Sequence, residues 1–281
     1  MSRDWSREEV EAIVADYFEM LTAELQLRAY NKTEHRKRLR KLLNSRTDGS
    51  IELKHQNISA VLLRLGYPYI SGYKPLSNFQ QLLFDVISER LANENVQKTV
   101  LKSVEYPATD ITVDNILDRV EGPPKQSGET PPGKVKSVKE PRLIPTVNYL
   151  EREARNSSLG TAGEKFAIQF EIARLRKARK DGLADKVEHV AETKGSSAGY
   201  DVHSYEMNGS DRFIEVKTTG YGKEIPFFLS KHELSTSVEL DPRYRLYRVF
   251  LFRSDPRMYT LKGRLDRNCI LDPTQFLVWM R

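Results

Sequence analysis

Cysteine is almost missing from this chain. A single Cys269 in 281 residues cannot close an intramolecular disulfide, and no cluster of Cys and His offers a zinc site. A disulfide-stapled scaffold is thereby excluded, and a reducing, cytoplasmic setting is expected. Long apolar runs are missing too: none spans a bilayer, and Met1 to Glu9 lack the apolar stretch of a secretory signal, so a soluble, unexported protein without a membrane partner is expected. There is no internal repeat. The length suits two modest domains, each able to bury a core. Forty-five Lys and Arg against 39 Asp and Glu leave a net charge of +6 and a pI near 9.2, a balance that favours a polyanionic partner.

The first hundred residues read as helical. Val10, Ile13, Val14, Tyr17, Phe18, Leu21 and Leu25 recur at three- and four-residue spacing and predict a helix over 6–28. Asn31 with Glu34 forms a capping box for a second helix reaching about Asn44, a third runs from Ile51 or later to Leu65, and Ser77 caps a fourth carrying Phe79 to Leu91. Between 121 and 145, prolines interleave with glycines and lysines as in a linker. The remainder mixes classes: a helix from about Ala162 to Lys180, a strand at Val187 to Ala191, a hairpin turning at Asn208-Gly209 and a short strand at Ile225 to Leu229. A helix capped by Ser230 and Glu233 follows, then strands at Tyr244 to Phe252 and Met258 to Leu261. The expectation is an α+β chain. Residues 1–120 form an all-helical domain for DNA targeting or dimerisation, 121–145 the Pro-rich linker, and 146–281 a domain with a central sheet flanked by helices.

The hairpin carries the chemistry. Hydrolysing a phosphodiester at neutral pH calls for a metal that makes hydroxide and neutralises transition-state charge, and Mg²⁺ prefers carboxylate oxygens. Asp201 and Glu215 supply such oxygens, and Lys217, two residues after Glu215 on one strand, projects to the same face. Register is the obstacle. A strict two-residue turn sets Asp201 opposite Val216, on the wrong face, whereas a three-residue loop with a bulge sets it opposite Glu215 or Lys217. On the preceding helix Glu164, Ile168, Glu171 and Leu175 share one face, so two acids lie on its apolar side and need a positive partner. Glu164 also lies in the first turn of that helix, where an acid complements the dipole. The blander reading of the same residues is a salt-bridged cluster on a sheet edge, against which stand the flanking Tyr200, Val202, Ile214 and Val216. His203 shares the face of Asp201, and a lone histidine is more often structural than catalytic.

Gly160-x-x-Gly163-Glu164 opening a helix, Gly199-Tyr200-Asp201 entering a strand, Ile214-Glu215-Val216-Lys217-Thr-Thr, and Phe228-Leu229-Ser230 before a helix together resemble the domain at the C-terminus of plant NO VEIN proteins. That domain, found also in bacterial restriction and defence proteins, is similar to the PD-(D/E)xK nuclease superfamily. The resemblance covers roughly residues 150–265. It implies a restriction-endonuclease-like α/β fold with a mixed sheet and a Mg²⁺-dependent deoxyribonuclease, with Mn²⁺ able to substitute, serving restriction or anti-phage defence. Asp201 would be the first acid, Glu215 the second, Lys217 the lysine and Glu164 the accessory helix acid, with Asp201, Glu215 and Glu164 as metal ligands. Tyr200 stands where the superfamily's name has Pro. Two rivals remain: a nucleic-acid-binding module that keeps the fold without catalysis, and an interaction scaffold.

The helical half resembles modules that precede different nuclease domains in bacterial restriction-like proteins, through Asn31-Lys32, Gly49 to Glu52, Lys54 to Val61 and Gly72 to Pro75. Residues 31–46 hold seven Lys or Arg and a single acid, a basic helix face suited to a phosphate backbone or simply to solvent. Arg36, Lys37 and Arg40 are the expected backbone contacts, Lys54, His55, Gln56 and Asn57 the recognition residues, and Tyr73 with Lys74 a stacking position for DNA, modified or not, although tyrosines packed under a proline-rich loop are the commoner case. Arg174 to Lys180, and Arg243, Arg245 and Arg248, could hold DNA beside the metal or be ordinary surface. Cutting both strands takes two sites, so a homodimer is expected for a duplex substrate.

Overall fold

A computed structural model describes residues 4–43, 46–92, 94–109, 111–124 and 147–274. The Pro-rich segment expected at 121–145 lies outside them from residue 125 onward. Helix α1 (Arg7–Leu25) opens on a capping box in which Ser6 and Glu9 satisfy one another's backbone N–H groups, and it buries the predicted stripe from Val10 to Leu21. Helix α2 (Lys32–Leu42) starts where Asn31 accepts the N–H groups of Thr33 and Glu34. Helix α3 (Asp48–Arg64) begins earlier than expected because Thr47 caps it, accepting the Ser50 N–H. Ser77 caps nothing: helix α4 (Gln81–Leu91) starts after Gln80, without a side-chain cap. Helix α5 (Glu94–Glu105) completes the group.

The C-terminal half holds a five-stranded mixed sheet with helices against it, so the chain is α+β. After α6 (Tyr149–Ala154), helix α7 (Ser157–Lys177) begins five residues before the expected start because Asn156 caps it. Short helix α8 (Asp181–Ala184) leads to strand β1 (Glu188–His189). The strand expected at Val187 to Ala191 is only these two residues, since Val190 already opens the one-turn helix α9 (Val190–Thr193). Strands β2 (Val202–Tyr205) and β3 (Asp211–Thr218) are the hairpin. No strand forms at Ile225 to Leu229; that segment is loop, with Ile225 buried among the N-terminal helices. Helix α10 (Lys231–Glu239) has the Ser230/Glu233 capping box and carries the chain over to β4 (Tyr244–Phe250), which runs parallel to β3. Strand β5 (Arg257–Lys262) and α11 (Leu265–Asn268) follow, and every other pairing in the sheet is antiparallel.

Alternation along β3 divides the two layers. Ile214 and Val216 pack with Phe166 and Phe170 of α7, while Phe213 faces the other side, with Tyr244, Leu246, Leu234 and Leu265. Glu215 and Lys217 follow Phe213 and therefore face α10. The layers also cross the chain's midpoint: Ile111, Val113, Ile116 and Leu117 pack on the α7 side of the sheet, and Tyr221 and Ile225 sit in the core of the N-terminal helices.

Candidate active site

The hairpin loop has three residues, Met207-Asn208-Gly209. Glu206 N–H donates to the Ser210 carbonyl at 2.8 Å, Gly209 N–H to the Glu206 carbonyl at 3.0 Å, and Gly209 takes φ +88°, which only glycine adopts readily. Val202 consequently pairs with Ile214, the last pair of the ladder, and Asp201 lies immediately beyond it. The three-residue loop that the motif called for is the one present. Asp201 ends the ladder with its side chain: its N–H donates to the Ile214 carbonyl at 2.8 Å and its Oδ2 accepts the Val216 N–H at 2.7 Å.

Two carboxyls now meet one lysine, and Asp201 is near enough to act on Glu215 through its charge. Lys217 Nζ lies 2.7 Å from Glu215 and 3.0 Å from Glu233 of α10. Burial pushes Asp201 up to about 6, against the Val216 N–H, with the Glu164 charge adding to the rise. Burial likewise drives Glu215, only 3% exposed, well above the usual carboxylate range, the Lys217 charge opposing it. Burial would lower Lys217, but the charges of Glu215 and Glu233 outweigh it and raise the lysine above its ordinary value. For Glu233 burial is outweighed by Lys217, and the result is a lowered pKa. With all four ionised, Asp201, Glu215 and Glu233 against Lys217 leave an excess of two negative charges.

Glu233 was visible in the sequence only as a helix cap. It does cap, accepting the Ser230 N–H at 2.9 Å, and the same carboxylate reaches Lys217. The signal for the second role was its position three residues past Ser230, on the crossover that leaves the Lys217 strand. His189 was also missed; on β1 it sits beside Val202, and its Nε2 meets Glu164 Oε2 at 2.6 Å.

Glu164 does not close a three-carboxylate cluster. Helix α7 lies against the opposite face of the sheet from Glu215, and among the described residues the oxygens of Glu164, Asp201 and Glu215 do not all come within 4.8 Å of one another. Glu164 acts on Asp201 through its charge. Glu171, fully buried, is held by Arg174 at 2.5 Å, Arg212 at 3.1 Å, Ser204 at 2.6 Å and the Tyr247 hydroxyl at 2.6 Å, so the positive partner its position demanded is a pair of arginines. His203 bonds Asp211 at 3.1 Å and stacks on Phe213, a structural histidine.

The helical recognition residues are corrected by burial. Lys54 and His55 follow Ile51 by three and four residues and so share its inward stripe. Lys54 lies over the Trp5 ring at 4.8 Å and burial lowers it to about 8; His55, 1% exposed, packs on Tyr73 and burial lowers it to about 4. Asn57 is buried with its amide on the Leu76 carbonyl, and Tyr73 is buried beneath Lys32. Gln56 is partly exposed, its carbonyl accepting the Leu76 N–H. Lys37, Arg40 and Lys74 are exposed and Arg36 partly so, with Arg36 and Arg40 paired to Asp48. Arg245 and Arg248 are buried in the sheet, whereas Arg176, Lys177, Arg179 and Lys180 are exposed.

The C-terminal half is thus a mixed-sheet α+β domain that gathers acids and a lysine at the mouth of a hairpin. Residues 163–261 match the family described as Protein NO VEIN, C-terminal. The resemblance read from the motifs holds over that segment. No curated protein and no solved structure matches the chain. Among the described residues no helix is long and apolar enough to cross a membrane.

Proposed function

We propose that this protein is a Mg²⁺-dependent endonuclease that hydrolyses phosphodiester bonds of DNA, with Mn²⁺ able to replace Mg²⁺. The observation that carries the reading is Asp201 bonded to the Val216 N–H between Glu215 and Lys217, so that two carboxyls kept above their ordinary pKa by burial are neighbours, with Lys217 bonded to one of them. Two neighbouring acids that are costly to ionise become cheap to ionise once a cation meets them, and hard carboxylate oxygens suit Mg²⁺. Asp201 and Glu215 would hold the ion, which when bound supplies a water of lowered pKa and screens the phosphate charge. Lys217 orients the attacking water and offers positive charge to the pentacoordinate transition state. Glu233 holds Lys217 in place, and Glu164, seated by His189, adds negative potential at Asp201. Arg176, Lys177, Arg179 and Lys180, with Lys37, Arg40 and Lys74, supply exposed cations for the backbone. Two such chains acting as a dimer would cut both strands of a duplex. Restriction or anti-phage defence inside the cell is the role that fits such an enzyme.

A second reading has an observation of its own. Lys217 is already engaged by Glu215 and Glu233, the arrangement expected of a domain that binds nucleic acid without cutting it. Plasmid and phage DNA, modified and unmodified, incubated with Mg²⁺ or Mn²⁺ decide between them. Cleavage by the wild type that is lost in Asp201→Asn and Lys217→Ala supports the enzyme. Equal inertness with retained binding supports the binding module.

A further inference from the structure

Asp16 and Glu19, three residues apart on one face of α1, meet His35 of α2, and one ligand atom from each lies within 4.8 Å of the others. The point between them is filled by a cation already. Nη2 of Arg38 is 2.9 Å from Asp16 Oδ1, 2.9 Å from Glu19 Oε2 and 2.8 Å from His35 Nδ1. An NH₂ group has two hydrogens to give and here meets three acceptors, so one always goes without. His35 Nδ1 also lies 2.9 Å from Asp16 Oδ1. With a proton on Nδ1 it serves Asp16 and opposes Arg38; without one it serves Arg38 and turns a lone pair on Asp16. No tautomer satisfies both contacts. A second observation points the same way: Asp16 is 7% exposed and its Oδ2 has no hydrogen-bond partner, a costly state for a buried carboxylate oxygen. Two grooves open on the cluster, of about 570 and 450 Å³, one lined by Asp16, Glu19 and Arg38 and the other by Glu19, His35 and Arg38.

We propose that Asp16, Glu19 and His35 form a binding site for a divalent transition-metal ion of the Zn²⁺ type, separate from the Asp201 site, in which Arg38 is a displaceable stand-in. A point charge accepts lone pairs from every side, which removes both conflicts: Nδ1 is deprotonated and ligating, and the second Asp16 oxygen gains a partner by chelation. One imidazole with two carboxylates selects Zn²⁺ and its neighbours over the all-oxygen preference of Mg²⁺ and Ca²⁺. Arg38 leaves without disturbing the core, since its side chain is 52% exposed. The ion fastens α1 to α2 and keeps a coordination position open toward the grooves.

Calorimetric titration of the full-length protein with Zn²⁺, in an Asp201→Asn/Glu215→Gln background that silences the other carboxylates, tests the site. One Zn²⁺ is expected to bind and to raise the melting temperature. Glu19→Gln, at a side chain 61% exposed and therefore safe for folding, and His35→Gln should each weaken Zn²⁺ by about tenfold or more. Arg38→Ala should tighten it by a similar factor, because the competing cation is gone. Failure of the Arg38→Ala protein to bind Zn²⁺, or unchanged affinity in Glu19→Gln and His35→Gln, overturns the proposal. An Arg38→Ala protein that is less stable with no gain in Zn²⁺ affinity makes the cluster an ordinary salt bridge and overturns it equally.

Discussion

The carboxylate of Asp201 accepts the backbone N–H of Val216 at 2.7 Å, so the first acid of the site is tied to the residue between the other two members. Glu215 and Lys217 flank Val216, and the bond fixes Asp201 against both without help from a turn of its own.

The raised pKa of Asp201 has a measurable consequence for stability. An acid whose folded pKa lies above its unfolded value holds its proton more tightly when folded. Its stabilising contribution is therefore complete below about 3.8 and lost as the pH rises through about 6. In metal-free buffer the wild type should lose roughly 1–3 kcal/mol relative to Asp201→Asn between pH 4 and pH 7. Mg²⁺ should restore wild-type stability at pH 7 and leave the variant unchanged. Thermal melts across that range check this; parallel pH curves for the two proteins would contradict it.

Glu233→Gln removes one of the two charges that hold Lys217. We expect DNA cleavage to fall about tenfold or more in kcat with KM little changed, since the lysine acts on the transition state. Ser230→Ala is the control: it weakens the helix cap by about 1 kcal/mol and should leave the rate near that of the wild type. A Glu233→Gln enzyme with full kcat would remove this residue from the site.

Gly163 of α7 lies directly against Thr218 of β3. A Cβ there would stand 1.8 Å from Thr218 Oγ1. Gly163→Ala should cost about 1–3 kcal/mol by overpacking, and Thr218→Ala should recover part of it. Denaturant unfolding of the two single variants and the double variant gives the coupling. Additive effects would mean that the contact is not the cause.

The two acids of α7 should behave oppositely. Glu171→Ala strands the arginines that clasp it and should cost about 3–5 kcal/mol of stability. Glu164→Ala should leave the fold intact and lower cleavage. Melting curves and plasmid assays on the same preparations separate the roles.

On the helical half, exposed and buried cations divide in the same way. Lys37→Ala should weaken DNA binding and lower the salt dependence of log K by about one unit of slope. His55→Ala should destabilise the helices and leave that slope unchanged. Binding isotherms at several salt concentrations would show it.

Much of the fold was written in periodicity and caps: the stripe of α1, the Asn31 cap, the Ser230/Glu233 box and the apolar β4 need only local rules. The three-residue hairpin loop was legible because a strict two-residue turn would have set Asp201 on the wrong face for Glu215. Ser77 misled because the helix starts only at Gln81, after Gln80, and Ile225 because a buried isoleucine in a loop looks like one in a strand. Lys54 and His55 misled for a different reason. Their charge suggested solvent, while their spacing from Ile51 had already placed them inside. The meeting of Glu233 with Lys217 depends on the parallel crossover between β3 and β4, a long-range choice that no local pattern records.

Tyr221 and Ile225, from the loop joining Lys217 to Glu233, complete the core of the N-terminal helices, while Ile111 to Leu117 complete the sheet's. Each half therefore lends the other a piece of its interior, as two boards are joined by a dovetail. Recombination at the Pro-rich segment would strand those apolar side chains in both products. If lineages have traded this helical head for another, the crossover has had to fall nearer residue 106 than residue 130, and the loop beside the lysine has had to be rewritten with it.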